Sequence, residues 1–217
     1  MIEKKILDKY NDELKKFGSS DRRSLFWTKD KQDMRFNLLL DSKLKLSNMS
    51  ILDYGCGFAD LNHYLKRNFF SLKYSGCDIN YNFIDIARRN HPKEDIFLIN
   101  SIDDISNNYD IILASGTFNL LEIENEISMK EYVFCHLKKL FDKTNYLLTV
   151  NFLSHLTDCN YRYKGHFYLD PRELYEFGIS NMTKRICIDS SSLPYEITVK
   201  FFKNENIDNT LSIWKEF

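Results

Sequence analysis

The sequence predicts an α/β protein built on a mostly parallel sheet with helices on both faces. Three observations carry this. Short apolar runs alternate with amphipathic helical patterns between residues 51 and 152. The run Ile51-Leu52-Asp53-Tyr54 ends beyond an acid and turns through Gly55-Cys56-Gly57 directly into a helical pattern. A further run, Leu72 to Asp78, also ends in an acid, 21 residues after Gly57. Sheets of this kind hold ligands beyond the carboxyl ends of their strands, so the ends of the first four runs should converge on one site.

In chain order, Ile2, Ile6, Tyr10, Leu14 and Phe17 share one stripe, which predicts an amphipathic helix over 2–17 that stops at Gly18. Ser19-Ser20-Asp21 is a polar break, after which Trp27 to Phe36 leads into a second helix running to about Leu46. These helices form a cap over 1–46 ahead of a core over 47–217, and a chain of 217 residues with 43% hydrophobic composition suits one domain. After the first strand, two glycines one residue apart let a ligand lie against the backbone and permit positive φ. Phe58, Leu61, Leu65 and Phe69 then recur at helical spacing. The acid closing the second strand, Asp78, has the spacing of one that accepts hydrogen bonds from both hydroxyls of a ribose, so a nucleoside is expected.

Asn80 is placed to cap a helix carrying Phe83, Ile84, Ile86 and Ala87, which must stop before Pro92. Asp95 to Ile99 reads as a third strand. Tyr109 to Gly116 reads as a fourth, apolar on both faces as a central parallel strand should be, with small residues at its end that leave room for a ligand. A crossover helix over 124–141 presents Met129, Val133, His136, Leu137 and Leu140 on one face, before a fifth strand from Tyr146 to Phe152. The 17 residues from Leu153 to Leu169 are long for a connection and read as a functional loop. Asp170-Pro171-Arg172-Glu173 is a capping box with proline at the first helical position, and Gly178 marks that helix's end. Lys184 to Asp189 and Tyr195 to Lys203 suit an antiparallel hairpin at the sheet edge.

The glycine pattern departs from the dinucleotide fingerprint, because Asp60 stands where a third glycine would be and Asp53 adds negative charge near the turn. Pyrophosphate would be repelled, and a nucleoside carrying a cationic group is favoured. D-x-G-C-G followed by G-C-D-I-N resembles the S-adenosylmethionine site of class I methyltransferases, of the bacterial small-molecule type, and the resemblance extends over about residues 27–203. It implies a Rossmann-like seven-stranded sheet in the order 3-2-1-4-5-7-6 with strand 7 antiparallel. It implies S-adenosylmethionine as cofactor and S-adenosylhomocysteine as product.

The same resemblance supplies a set of cofactor contacts. Asp53, Gly55, Cys56 and Gly57 belong to the turn, Asp78, Ile79 and Phe83 to the second strand end and the helix after it, and Ala114, Ser115 and Gly116 to the fourth strand end. Asn100-Ser101-Ile102 occupies the place where a small residue precedes an acid that binds the adenine amino group. Here Ser101 replaces that acid, with Asp103 as a rival. Trp27, Gln32 and Arg35 precede the sheet as similar residues do in such proteins. Arg35 is then a candidate clamp for the methionyl carboxylate through two parallel hydrogen bonds, the alternative being a surface arginine on a helix flank. Trp27 is a cofactor or substrate contact, or a core residue.

The implied reaction is in-line displacement at a sulfonium carbon, for which the protein aligns the acceptor and, where needed, removes its proton. Candidate bases are His155 and His166, and Asn119, Asn151, Tyr161, Arg162 and Tyr168 are candidates to hold a small polar acceptor, the alternative for the loop residues being a solvated surface. A dedicated base is dispensable when the acceptor is already nucleophilic.

Thirty basic against 31 acidic residues lack the excess expected of a dedicated nucleic-acid binder, which disfavours RNA as substrate. The five cysteines are scattered, without metal-ligand spacing to the five histidines, so no metal is expected and they read as reduced thiols. With no apolar run approaching the roughly 20 residues that span a bilayer, a soluble cytoplasmic protein is expected. The leading reading is a methyltransferase for a small polar molecule, with surface-carbohydrate modification as one setting. A nucleoside-binding regulator without chemistry is the competitor, and an NAD-dependent oxidoreductase stands further off. Oligomeric state is left open.

Overall fold

The computed structural model describes residues 2–26, 29–40, 48–68, 71–121, 126–193 and 195–203. Strands β1 (Ser50–Tyr54), β2 (Lys73–Asp78), β3 (Asp95–Leu98), β4 (Tyr109–Ala114) and β5 (Thr144–Ser154) are parallel, and β7 (Ile186–Asp189) and β8 (Glu196–Phe202) close the sheet as an antiparallel hairpin. The order is β3-β2-β1-β4-β5-β8-β7. Apart from the two-residue strand β6 (Tyr168–Leu169), this is the expected order of seven.

Side chains alternate across the central strands with period two. Leu52, Ile112, Leu148 and Val150 pack on one face against Val133, Leu137 and Leu140 of α5 (Glu126–Asp142). Ile51, Ile111, Leu113 and Leu147 pack on the other against Leu61 and Leu65 of α3 (Asp60–Asn68), Ile84 and Ala87 of α4 (Tyr81–Asn90) and Leu39 of α2 (Lys29–Leu39). Asn80 caps α4 as expected, its side chain accepting the Asn82 N–H at 2.9 Å. His136 is half-buried at the core edge with Nδ1 2.8 Å from the Tyr132 carbonyl.

Three expectations change. Strand β5 runs on to Ser154, and Leu153 and Ser154 pair with Tyr168 and Leu169 of β6. The other edge of β5 at Leu153 is taken by Glu196, so β6 lies on the β4 side, beyond Ala114. The long connection is therefore folded back on the sheet, and it also contains a 3-10 turn at Cys159–Tyr161. Gly178 lies within α6 (Pro171–Asn181), not at its end. A Cβ there would stand 2.6 Å from Ile186 Cδ1 and 2.7 Å from Phe201 Cε1, so glycine lets the helix approach the terminal hairpin. Asp170 caps α6 by accepting the Arg172 N–H at 2.8 Å, whereas Glu173 pairs with Lys130 at 2.9 Å instead of completing a capping box.

Helix α1 (Ile2–Phe17) has the expected bounds but no fully buried residue. Tyr10 meets Phe83 and Phe26 edge-on at ring separations of 5.6 and 5.4 Å, and Asn11 accepts from the side-chain amides of Asn80 and Asn82 at 3.0 Å each. Helix α2 ends at Leu39. The expected continuation over 41–46 lies outside the described residues, as do Trp27 and Phe69. Among the described residues no helix is long and apolar enough to cross a membrane.

Candidate functional site

The turn after β1 is fastened to the end of β2, because the N–H groups of Gly55 and Cys56 both donate to the Cys77 carbonyl, at 2.8 and 3.0 Å. Gly55 and Gly57 have φ of +74° and +55°, the left-handed region that glycine enters without strain. Asp78, from the end of β2, accepts the N–H of Gly57 at 3.0 Å and that of Asn80 at 2.8 Å. The two features that the sequence placed 21 residues apart are thus directly bonded.

Asp53 is buried beside them and accepts the Tyr74 hydroxyl at 3.0 Å. Burial pushes its carboxyl up to about 7, against the Tyr74 hydrogen bond, and the Asp78 charge adds to the rise. Burial also pushes Asp78 up to about 6, opposed by the N–H groups of Asn80 and Gly57. Two buried acids that resist ionisation together favour a ligand bearing positive charge.

These groups line a cavity of about 100 Å³ at the carboxyl ends of β1, β2 and β4. Cys56, Ile79 and Phe83 form its walls with Ser115 and Gly116. Ile6, Leu7 and Tyr10 of α1 and Gln32 and Phe36 of α2 roof it. Gln32 donates to Asp60 at 3.2 Å, and Asp60 also pairs with Arg22 at 2.5 Å. A Cβ on Gly55 would lie 2.7 Å from the Thr117 side chain, which keeps this part of the wall open only for glycine. Tyr132 joins the far side. Burial raises its hydroxyl, and Glu3 of α1, hydrogen-bonded to it, raises it further.

Several predicted residues lie elsewhere. The Ser101 hydroxyl accepts the Asp103 N–H at 3.2 Å, and Asp104 accepts the N–H groups of Asn100 and Ser101. Asn100 and Ser101 are exposed and Ile102 is buried in the core, so none of the three lines the cavity. Their neighbour Ile99 does. Asp103 pairs with Lys139 at 2.8 Å, and Ala114 is core. The two amino-terminal helices were expected to cover the ligand, but Ile6, Leu7 and Tyr10 were not singled out, because an amphipathic stripe does not say which of its residues meet a ligand.

Arg35 makes the expected two parallel hydrogen bonds, but to Glu196. Its Nε donates to Oε2 at 2.6 Å and its Nη2 to Oε1. Asn151 donates to the same Oε2 at 3.3 Å, and its Oδ1 accepts the Gly116 N–H at 2.7 Å. The guanidinium therefore faces a second cavity and not the first. Glu196 went unnoticed because nothing local distinguishes it from an ordinary strand-edge acid.

This second cavity, about 790 Å³, shares Tyr10, Leu25 and Gly116 with the first. Asn119, Tyr161, Arg162, His166 and Tyr168 line it, whereas Asn151 supports it from behind. The Asn119 side chain accepts the Leu153 N–H at 3.3 Å, and Arg162 Nε donates to the Thr157 carbonyl at 2.9 Å. His166 is set by flanking backbone bonds, Leu121 N–H to Gly165 O at 3.0 Å and Phe167 N–H to Asn119 O at 2.9 Å. Burial lowers its pKa, opposed by the hydrogen bond to the Lys164 carbonyl, and Lys9 lowers it further. His155 lines a separate recess with Lys130, Asp170 and Glu173, and does not face either cavity.

Among the described residues no group of three or more His, Cys, Asp or Glu is arranged to hold a metal. No curated protein matches the sequence. Among solved structures, magnesium protoporphyrin IX methyltransferase from Synechocystis PCC 6803 with bound S-adenosylhomocysteine aligns with a TM-score of 0.65 at 10% identity, over 92% of this chain and 98% of that one. An S-adenosylmethionine-dependent methyltransferase from Archaeoglobus fulgidus aligns with a TM-score of 0.62 at 13% identity, over 84% and 97%. The plantazolicin methyltransferase BpumL, in complex with a pentazolic analogue and S-adenosylhomocysteine, aligns with a TM-score of 0.60 at 15% identity, over 94% and 97%. At such identities these likenesses are of fold. The family described as methyltransferase domain matches residues 45–198, which include the turn, Asp78 and every strand up to β8, and the chain belongs to that family, as a class I S-adenosylmethionine-dependent type.

Proposed function

We propose that this protein transfers the methyl group of S-adenosylmethionine to a small-molecule acceptor. The observation that carries the reading is the meeting at Gly116 of a narrow, acid-lined cavity and a wide one. The first matches the cofactor in chemistry: two buried acids suit a cationic ligand, and the left-handed turn leaves backbone bare where a Cβ would intrude. Asp78 would accept the ribose hydroxyls, Gly55 and Gly57 would lie along the methionyl part, and Ile79 and Phe83 would flank the nucleoside. Bound there, S-adenosylmethionine supplies an electrophilic methyl carbon on a positively charged sulfur.

Every other contribution is positional or protolytic. Asn119 and Tyr168 hold the acceptor in the second cavity, Arg35 and Glu196 form its floor as a closed ion pair, and the ring of His166 takes up the acceptor's proton. His155 has no part. The neighbours named for magnesium protoporphyrin IX and for plantazolicin support a small-molecule acceptor over a macromolecule. The test follows a labelled methyl group from S-adenosylmethionine into hydroxyl- and amine-bearing small molecules. Transfer that falls roughly 10²–10⁴-fold in His166→Gln, with cofactor affinity unchanged, supports the reading. Tight cofactor binding with no transfer to any acceptor would favour the binding-only regulator.

A further inference from the structure

The second cavity carries an aromatic wall that folding does not require. Six aromatic side chains are exposed among the described residues (Phe26, Tyr81, Tyr161, Tyr163, Tyr175 and Tyr195), and four of them line this one cavity. Tyr161, Tyr163 and Tyr195 remain 62%, 73% and 45% exposed, so burial in the fold does not explain them. The rings of Tyr161 and Tyr195 lie 5.8 Å apart, inclined by 32°, and those of Tyr163 and His166 lie 5.9 Å apart. Clustered, exposed ring faces around a concavity mark a site for a ligand that can stack on them.

The charged groups of the same wall are already engaged. Glu196 accepts from Arg35 and Asn151, and Arg23 donates to Asp21 at 2.6 and 2.9 Å. Arg162 donates to the carbonyls of Thr157 and His155, and the Asn119 oxygen accepts from Leu153. An anionic acceptor would require a cation released from these partners. A flat, uncharged ring system requires none, and about 790 Å³ falls within the roughly 300–1,000 Å³ of small-molecule sites.

Resting on the methyl-transfer reading above, we infer that the acceptor is an uncharged aromatic molecule bearing a hydroxyl group, stacked against the outer faces of the Tyr161–Tyr195 pair with its hydroxyl directed past His166 toward Gly116. The hydroxyl oxygen forms a bond to the methyl carbon as the carbon–sulfur bond breaks, and that bond's electron pair stays on sulfur. The hydroxyl proton passes to Nε2 of His166, since Nδ1 faces the Lys164 carbonyl at 3.4 Å and so carries the ring's own hydrogen. The products are an aryl methyl ether and the demethylated cofactor.

The test is ligand-detected NMR on the full chain, with and without S-adenosylhomocysteine, using 2-naphthol, its saturated counterpart decahydro-2-naphthol, 2-naphthoate and methyl glucoside. The expected result is 2-naphthol binding at least about tenfold tighter than the saturated alcohol, the other two not binding, and the preference vanishing in Tyr161→Leu/Tyr195→Leu while S-adenosylhomocysteine affinity holds. Equal binding of any of the other three, absence of 2-naphthol binding, or survival of the preference in the double variant overturns the inference. Failure of S-adenosylhomocysteine to bind while 2-naphthol does would overturn the methyltransferase reading and leave the aromatic site standing. The reverse outcome would overturn only the aromatic site.

Discussion

Replacing Asp78 with asparagine should weaken S-adenosylhomocysteine binding by roughly 10- to 150-fold. A carboxylate offers about four lone-pair sites, and Asp78 uses one on Oδ2 for Gly57 and one on Oδ1 for Asn80. The Ile79 N–H also bonds to the carboxylate, which leaves about one site open for the ribose diol. Asparagine has a single acceptor oxygen, so it must give up either a backbone N–H or most of its contact with the diol. Losing a charged acceptor costs about 1.5–3 kcal/mol, and each 1.4 kcal/mol is about tenfold in affinity. The assay is isothermal titration calorimetry, with the melting temperature of the variant as a check on folding. The wild type adds a second signature. Burial holds the free carboxyl at about 6, and the bound ribose favours the ionised form. Affinity should therefore fall as pH drops below about 6, by up to about tenfold per unit, and this dependence should shrink in Asp78→Asn. A folded variant that binds within twofold of wild type, with the same pH dependence, would refute the assignment.

Asp53, whose pKa stands at about 7 in the folded chain against about 3.9 unfolded, favours folding fully only below about pH 4, and this contribution is lost as pH rises through 7. Asp53→Asn should therefore raise the melting temperature of the cofactor-free protein more at pH 8 than at pH 5, and a larger gain at pH 5 would contradict this. Glu196→Gln should destabilise the fold by about 3–5 kcal/mol in chemical denaturation, because it leaves the buried Arg35 charge uncompensated, and no loss of stability would show that water reaches that guanidinium. Room of about 100 Å³ is too little for a nucleoside with an amino-acid tail, so α1, which has no fully buried residue, must lift and then settle on the ligand. Amide exchange across residues 2–17 should slow when S-adenosylhomocysteine is bound, and equal exchange with and without it would return α1 to a fixed structural layer.

The sheet was legible because its signals are local. Apolar runs ending at small or acidic residues placed β1, β2 and β4 to within a residue or two, and the Asn80 cap fixed the start of α4. The strand order came from resemblance, since alternation alone does not choose among parallel orders. Where long-range pairing decides, the sequence was silent or misleading. Gly178 has the look of a helix end but serves the approach of α6 to Phe201, and the stretch after Phe152 looks irregular yet extends β5 and adds β6. The Asp78–Gly57 contact was readable as a spacing, whereas the Arg35–Glu196 pair joins residues 161 positions apart that carry no mark of each other. Ser101 was placed by analogy with an acid it does not replace, because its hydroxyl is used to cap the 3-10 turn that follows it.

The methyl-transfer reading requires a methyl-donor nucleoside on the turn between β1 and α3. The most direct measurement is calorimetric titration of the folded wild type and of Gly57→Val with S-adenosylmethionine, S-adenosylhomocysteine and NAD. Gly57 has φ of +55° and a Cβ would meet Leu25 at 3.2 Å, so valine both strains the turn and fills the surface on which the ligand would lie. One site per chain is expected for S-adenosylmethionine and S-adenosylhomocysteine, none for NAD, with both bound ligands lost in the folded variant. Tight NAD binding, or S-adenosylhomocysteine binding with undiminished affinity to Gly57→Val, would contradict that reading.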